Sequence, residues 1–495
     1  MATCSSKENN ITAKNEGGET SVVLRERTLG TLVDTQKGTL SAEIFSRRDI
    51  YEQELEQIFA RTWLFVGHVS QIPNPGDYVM SRMGEEQVIV TKDRAGKVHV
   101  LLNSCRHRGN MVCRYDQGHA FAFQCSFHGW VFNSSGQLVV LPPGSEGDYE
   151  GMTKDEWGLL EARVAVFHGS IWANWDKTAP EFLDYLAGAE PYLRSAFLDS
   201  EGLESSPEEG GIEVLGAVMK WELGMNWKVP MPDHDSTHFW VTHRSQSLLS
   251  AGVRDVVVNR AGQSDYELGS NTAVSGRARV VRQGRQGTMY TIGFPEGHTT
   301  STFWPDDLSQ VETEPDAWQM SEYPAMLEYM KGKREARRKN LGTKLVNIGE
   351  GPHMFPNLGF FGKVIRVLHP QGPDSTEMWS YFIVDKKAPP EVKEEYAHQF
   401  ESIYGPAGIV QKDDMENWYI LTQYSKGLMT RRTPLNIAMG INRKPLHGPT
   451  APGIEMPGYW TPDLTDLNNR FFYGRWAEYM DAKSWDELRI ENSPK

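Results

Sequence analysis

The sequence predicts an α+β protein in which an all-β module is inserted into a larger body of helices and antiparallel strands. Three observations predict it. An amphipathic helical stretch precedes Trp63; short β-branched runs parted by turn residues follow it; and positions 183 to 495 mix helical and alternating segments. The expected division is a disordered extension over 1–20, the β-rich module over 62–182, and the larger body from 21–61 plus 183–495.

From Arg47 to Trp63, Tyr51, Leu55, Ile58 and Phe59 recur on one helical face with charges elsewhere, so an amphipathic helix is expected to lie on a larger body. Beyond it, Gln87–Thr91 and Lys97–Leu102 read as strands broken by Pro-Gly and Ala-Gly turns, and further short strands fall in Ser126–Val140 and Val164–Trp175. In the body, helices are expected over Ala179–Ala196, Glu322–Arg338 and Pro390–Tyr404. Strands are expected at Val256–Val258, Val280–Val281, Thr288–Ile292 and Trp379–Val384. Alternating runs of this kind favour an antiparallel sheet.

Composition narrows the function. With 51 Lys+Arg against 65 Asp+Glu the formal charge is −14, which argues against nucleic-acid binding by bulk charge. No run nears the roughly 18 apolar residues of a membrane span, and the start has no apolar signal-peptide core, so a cytoplasmic protein is expected. Residues 1 to about 20 are polar and Gly-rich and have nothing to bury. There is no phosphate-cradling GxGxxG or GxxxxGK loop, so neither nicotinamide nor flavin binding is expected within this chain.

Three of the four cysteines, Cys105, Cys113 and Cys125, crowd into the β-rich module, which points to metal chemistry rather than a disulfide framework. Cys105-Arg-His107 and Cys125-Ser-Phe-His128 are two fingers parted by seventeen residues, each offering one thiolate and one imidazole. Such a set could hold a tetrahedral zinc, or a [2Fe-2S] cluster with two Cys on one iron and two His on the other. Common zinc modules pair Cys with Cys, whereas here each finger carries one of each. Gly109 and Gly129 stand where the loops must bend. The spacing Cys-X-His-X17-Cys-X2-His, with Gly129-Trp130 after the last ligand, resembles the Rieske signature. Cys113 reads as a buried free thiol.

Downstream, Asn226–His243 reads NWKVPMPDHDSTHFWVTH. Asp235 and His238 are one helical turn apart, whereas His238 and His243 are five apart and need a bulge or helix end between them. Two His and one carboxylate with open positions suit an oxygen-activating iron(II), and local sequence leaves the third ligand open. His234 is a competing ligand at i, i+4 from His238, or else an ordinary surface or core histidine.

The Rieske spacing followed by Asp-X2-His-X4-His resembles the large (α) subunits of aromatic ring-hydroxylating dioxygenases of the naphthalene and biphenyl type. The resemblance extends to Gly405-Pro406-Ala407-Gly408, Asp413-Asp414 and Glu416-Asn417-Trp418. It implies a catalytic domain of helix-grip type, with His238, His243 and Asp414 as mononuclear iron ligands. It makes Asp235 a catalytic link, bonded to His238 and, across a subunit boundary, to the cluster ligand His128 of a neighbour. An exposed turn carboxylate is the alternative for Asp414. The sequence departs from the family pattern at Val229-Pro230-Met231-Pro232, where two prolines must reshape the approach to the iron.

Met231, Phe239, Trp240, Tyr404 and Val410 are candidates for the wall of an apolar pocket suited to a flat aromatic substrate, though Phe239 and Trp240 serve equally as core. Arg106, Arg108 and Arg114 form a local basic patch that an acidic electron carrier would match. The basic run Lys331–Lys339 reads as a solvated helix face, with partner docking the alternative. The resemblance further implies electrons from NAD(P)H through a reductase and ferredoxin, addition of both atoms of O2 to give a cis-dihydrodiol, and a small β subunit. It also implies a homotrimeric ring of α subunits, α3β3 before α3. A Rieske monooxygenase or demethylase uses the same ligands and is the second reading; a zinc hydrolase is the remoter third.

Overall fold

The computed structural model describes residues 12–14, 20–22, 28–232, 242, 279–282, 285–305, 323–346, 351–408, 411–447, 456–462 and 465–488. Two three-residue strands, Thr12–Lys14 and Thr20–Val22, pair antiparallel in the N-terminal extension, most of which lies outside the described residues.

The expected first helix forms as Arg48–Glu54 followed by one wide turn, Leu55–Phe59. Ile50, Tyr51, Ile58 and Phe59 are buried, and so is Glu54. Arg48, Asp49, Glu52 and Glu56 keep to the solvent side as expected, and Glu54 alone departs. Glu54 is fully buried because it meets an equally buried cation: Lys228 Nζ stands 2.6 Å from its Oε1. Trp227 Nε1 donates to Oε2 and Trp476 Nε1 to Oε1, each at 2.8 Å. Burial pushes the Lys228 ammonium below its ordinary value, and the Glu54 carboxylate works against that shift.

The β-rich stretch folds into three antiparallel sheets. Val98–Leu102, Glu86–Lys92, Asp77–Met83 and Gln117–His119 are neighbours in a four-stranded sheet; Ala122–Gln124, Val131–Asn133 and Leu138–Val140 form a second; and Arg163–Phe167, Ser170–Asn174 and Leu64–His68 form a third. Within Glu86–Lys92, Val88–Val90 are consecutively apolar because both faces of the strand are buried there. Val88 and Val90 point into the large core shared with Trp227 and Trp476, whereas Ile89 joins Leu101, Trp130 and Phe132 beneath the two fingers. Arg82 pairs with Glu377 at 2.9 Å and Asp116 with Lys220 at 3.3 Å, which ties the module to the body's sheet.

In the body, Ser375–Asp385 is central. It pairs with Ile212–Val214 and Met219–Leu223 on one side and with Val364–Gly372 on the other, and Val364–Gly372 continues to Leu358–Phe361. A second group is built on Arg285–Gly293, which pairs with Arg279–Arg282, Thr299–Pro305 and Tyr459–Pro462. The bridges Thr299↔His353 and Met354↔Leu358 carry the antiparallel pairing from one group to the other. Helix Pro390–Tyr404 covers part of the first group through Val392, Tyr396 and Phe400. Helix Leu467–Asp481 lies so close to the second that a Cβ on Gly293 would sit 2.1 Å from the Phe471 ring.

Two expected helices are interrupted. The stretch Ala179–Ala196 forms Phe182–Leu186 and Glu190–Phe197, broken at Ala187 with φ +45°; the adjacent Gly188 packs against Phe294. The stretch Glu322–Arg338 forms Pro324–Met330 and Lys333–Leu345, parted at Gly332 with φ +73°. The basic run is also less solvated than expected, because Arg337 donates to the carbonyls of Asp199 and Ser195 at 2.6 and 2.8 Å. Val256–Val258 lies outside the described residues. No helix among the described residues is long and apolar enough to cross a membrane.

Removing one member of a buried ion pair strands the other without water. Glu54→Ala is expected to cost about 3–5 kcal/mol, read as a lowered urea midpoint by circular dichroism; an unchanged midpoint would show that the pair does not stabilise the fold.

Candidate metal centres

The two fingers share one backbone design. Cys105 N–H donates to Asn110 O at 2.8 Å and Gly109 N–H to Cys105 O at 2.8 Å; Cys125 N–H donates to Trp130 O at 2.8 Å and Gly129 N–H to Cys125 O at 3.0 Å. Each turn closes through a left-handed glycine, Gly109 at φ +74° and Gly129 at φ +75°. Space does not demand glycine there, since added Cβ atoms would come no closer than 3.6 Å to a neighbour; the backbone conformation does.

Both thiols are buried. Burial disfavours the Cys125 thiolate, but the N–H groups of Phe127 and His128 and the Asn110 amide, 3.6 Å from the sulfur, outweigh it and hold the thiol below its ordinary value. Burial is also the main reason that Cys105 lies above its own. The rings of His107 and His128 are 4.4 Å apart, and His107 stacks on Trp130 at 5.2 Å. Burial, helped by His128 and Arg108, lowers the His107 value, so its imidazole is neutral at pH 7. Its Nδ1 is buried with no hydrogen-bond partner. Two facing thiols, two neighbouring imidazoles and an unmet ring nitrogen fit a [2Fe-2S] group bound by two Cys and two His. Cys113 is not part of the set: it is buried, and its backbone is held by the Asn103 side chain at 2.8 Å.

The second constellation is approached along Asn226–Pro232. Asn226 N–H donates to Thr422 Oγ1 at 2.9 Å and Asn226 Nδ2 to Pro373 O at 2.7 Å; His353 Nδ1 meets Met231 O at 2.5 Å, and Asn468 donates to Pro232 O. The two prolines give successive turns, Val229 N to Asn226 O and Met231 N to Lys228 O, in place of a regular helix. Met231 then lines a small cavity, with room for about one water, together with Pro230, His353, Phe361, Arg366, Leu368 and Trp418. Asp414 is buried in the first turn of helix Gln411–Tyr424, one turn before Trp418.

Residues 62–154 match the Rieske [2Fe-2S] domain, and residues 213–481 match the catalytic domain of the ring-hydroxylating α subunits. The biphenyl 2,3-dioxygenase α subunit of Rhodococcus jostii is 33% identical, with 93% of each chain covered. The chain belongs to the ring-hydroxylating dioxygenase α subunits. The benzene 1,2-dioxygenase α subunit of Pseudomonas putida is 30% identical, covering 92% of this chain and 94% of its own. A solved naphthalene 1,2-dioxygenase from a Rhodococcus species, bound to indole, superimposes with a TM-score of 0.72 at 26% identity, covering 92% of this chain and 99% of that one. Membership brings two prosthetic groups, a Rieske [2Fe-2S] cluster and a mononuclear iron.

The structure brings together Cys105, His107, Cys125 and His128, and it places Met231 on the cavity wall. Tyr404 ends helix Pro390–Tyr404 and lies 5.6 Å from the Arg366 guanidinium. Asp235, His238, His243, His234, Phe239, Trp240 and Val410 lie outside the described residues. The alternative of an exposed turn for Asp414 does not hold: its carboxylate is buried on a helix. Sequence reasoning missed His353, Arg366 and Trp418. The Asp413-Asp414 pair carried a usable signal, since acids favour a helix N terminus.

Hydrogen bonds to cluster sulfur raise reduction potential. Asn110→Ala is expected to lower the midpoint potential of the [2Fe-2S] group by on the order of tens of mV with its absorption spectrum kept, measured by redox titration followed by EPR; an unmoved potential counts against this bond.

Proposed function

We propose that this chain is the oxygenase component of a multicomponent aromatic ring-hydroxylating dioxygenase, adding both atoms of O2 to an aromatic ring to give a cis-dihydrodiol. What carries the reading is one chain that matches both family domains and holds a two-Cys, two-His finger pair together with the buried carboxylate of Asp414. Cys105 and Cys125 would hold one cluster iron and His107 and His128 the other, with His238, His243 and Asp414 holding the mononuclear iron. The cluster supplies single electrons and the mononuclear iron activates dioxygen when the two are bound.

The chain's own residues prepare that chemistry. The fingers keep both sulfurs away from water, while Phe127, next to His128, is exposed at the imidazole end, which would face the neighbouring subunit. Met231, Leu368, Met378 and Trp418 give this small cavity an apolar wall, which would keep bulk water from the reacting groups. Asp235 would join His238 to His128 of the partner subunit.

Two exposed faces support a ring of subunits. Met111, Tyr115 and Phe127 surround the finger tips beside Arg108 and Arg114, and Tyr419, Ile420, Tyr424, Leu428 and Met429 are exposed along and just after the helix that carries Asp414. Apolar groups of this size rarely stay in water, and a head-to-tail ring would cover both. An α3β3 assembly with a small β subunit is the first expectation, reduced by a ferredoxin or an NAD(P)H-dependent reductase. The three described cysteines are free, which supports a reducing, cytoplasmic setting.

Asp414→Ala is expected to keep the Rieske spectrum while iron falls from about three to about two per chain and dihydrodiol formation stops; turnover that survives would remove Asp414 from the ligand set. Tyr424→Glu together with Met429→Glu is expected to split the ring into smaller species by light scattering, with the cluster intact; an unaltered mass would place the contact elsewhere.

A further inference from the structure

The stretch Pro142–Leu160 runs beside the fingers without joining any sheet, and its regular structure is limited to two short 3-10 turns, Glu146–Asp148 and Lys154–Trp157. Its far end is nonetheless pinned. Lys154 Nζ donates to Val139 O at 3.2 Å, Leu159 N–H to Gly136 O at 2.8 Å, and Leu102 N–H to Leu160 O at 2.8 Å. A loop longer than about 12–15 residues that keeps its place without regular structure is usually functional.

The aromatic residues of this loop say what it acts on. Trp130, only 2% exposed, lies on the ring of His107 at 5.2 Å with 9° between the planes. Tyr149 and Trp157 meet Trp130 edge to face at 5.8 and 6.4 Å, and both pack, half-buried, against the small core that contains Cys105 and Cys125. Arg106, between the two ligands of the first finger, closes a circuit: its guanidinium carbon stands 5.4 Å from the Trp157 ring and its Nη1 donates to Gly158 O at 3.2 Å. Arg106 thus holds Trp157, Trp157 meets Trp130, and Trp130 covers His107, the next residue after Arg106. The contact bears on redox chemistry. With two thiolates, two sulfides and neutral imidazoles, a Rieske cluster is uncharged when oxidised and gains one negative charge when reduced. Aromatic rings in place of water at a ligand withhold solvation from the charged, reduced state, and the negative face of an indole works in the same direction. Both lower the reduction potential, against the rise that histidine ligation gives.

We infer that Tyr149 and Trp157, latched by Arg106, are positioning residues that hold Trp130 flat on His107 and so keep the reduction potential of the cluster low. The inference rests on the reading of the four finger residues as cluster ligands, and it is independent of the mononuclear iron. A lower potential makes the reduced cluster the stronger electron donor. The loop therefore acts on the step in which the electron leaves the fingers.

The test uses the full chain with its cluster in place. Midpoint potentials are read by redox titration followed by EPR, and solvent access by the deuterium coupling of the reduced cluster after exchange into D2O. Trp157→Leu is expected to shift the potential upward and to increase the deuterium coupling with cluster content kept, and Trp157→Phe, which keeps a ring, is expected to stay near the wild type. Arg106→Lys, which keeps the charge and loses the planar fork, is expected to shift the potential the same way by less. Trp130→Leu is expected to shift it furthest; should that variant lose its cluster, Trp157→Leu, one ring farther from the ligand, decides the matter. An unmoved or lowered potential in Trp157→Leu overturns the inference, and so does an equal rise in Trp157→Phe, which would make the loop a matter of packing alone. A Rieske signal that survives in Cys125→Ala overturns the ligand reading itself and the inference with it.

Discussion

Much of the structure depends on a single ion pair that has no access to water. Glu54 from the first helix accepts Lys228 and the indoles of Trp227 and Trp476, so three distant parts of the chain meet at one carboxylate. Desolvating two charges costs several kcal/mol, and a pair of apolar residues would often serve stability as well. What apolar residues could not supply is direction. Two indole N–H groups and one ammonium fix the carboxylate from three sides and thereby fix where Asn226–Pro232 runs. That segment delivers the chain to the cavity, and the proposed iron ligands His238 and His243 follow it. The ion pair is thus a constraint on the reaction site as well as on the fold.

The fingers solve a different problem with a repeated part. Cys105–Asn110 and Cys125–Trp130 are the same hydrogen-bonded turn, and both end on a left-handed glycine. The two turns differ in where the histidine falls, two residues after Cys105 and three after Cys125. One backbone design therefore presents its imidazole from two directions, which brings the two rings edge to face at 4.4 Å while the sulfurs stay beneath them. Trp130 follows the second glycine and stacks on the first finger's histidine, so the end of one finger supports the ligand of the other.

What the sequence reveals of this arrangement follows from how local each signal is. The fingers are legible because ligand type, spacing and glycine all fall within a few residues. Helix Pro390–Tyr404 is legible because its apolar face repeats through Val392, Tyr396 and Phe400 with a proline at its first turn. Glu54 is not legible, because an acid on a helix reads as solvent-facing unless its distant cation is known. The break at Ala187 is hidden for the same reason: the adjacent Gly188 lies close against Phe294, more than a hundred positions away. Helix Gln411–Tyr424 was masked by the Gly-Pro-Ala-Gly turn before it, although the acids in its first turn mark its start.

Strand Val364–Gly372 shows how closely site and core are joined. Successive side chains on a strand point to opposite faces. Ile365 and Val367 enter the core that contains Trp379 and Tyr381, while Arg366 and Leu368 face the cavity. A shift of one residue in the pairing with Ser375–Asp385 would bury Ile365 and Val367 in the cavity wall and thrust Arg366 into the hydrocarbon core. The shift would also take the guanidinium away from the Phe361 and Tyr404 rings, 3.8 and 5.6 Å from it in the observed register. The register of this strand therefore decides at once which side chains fill the core and which form the cavity wall.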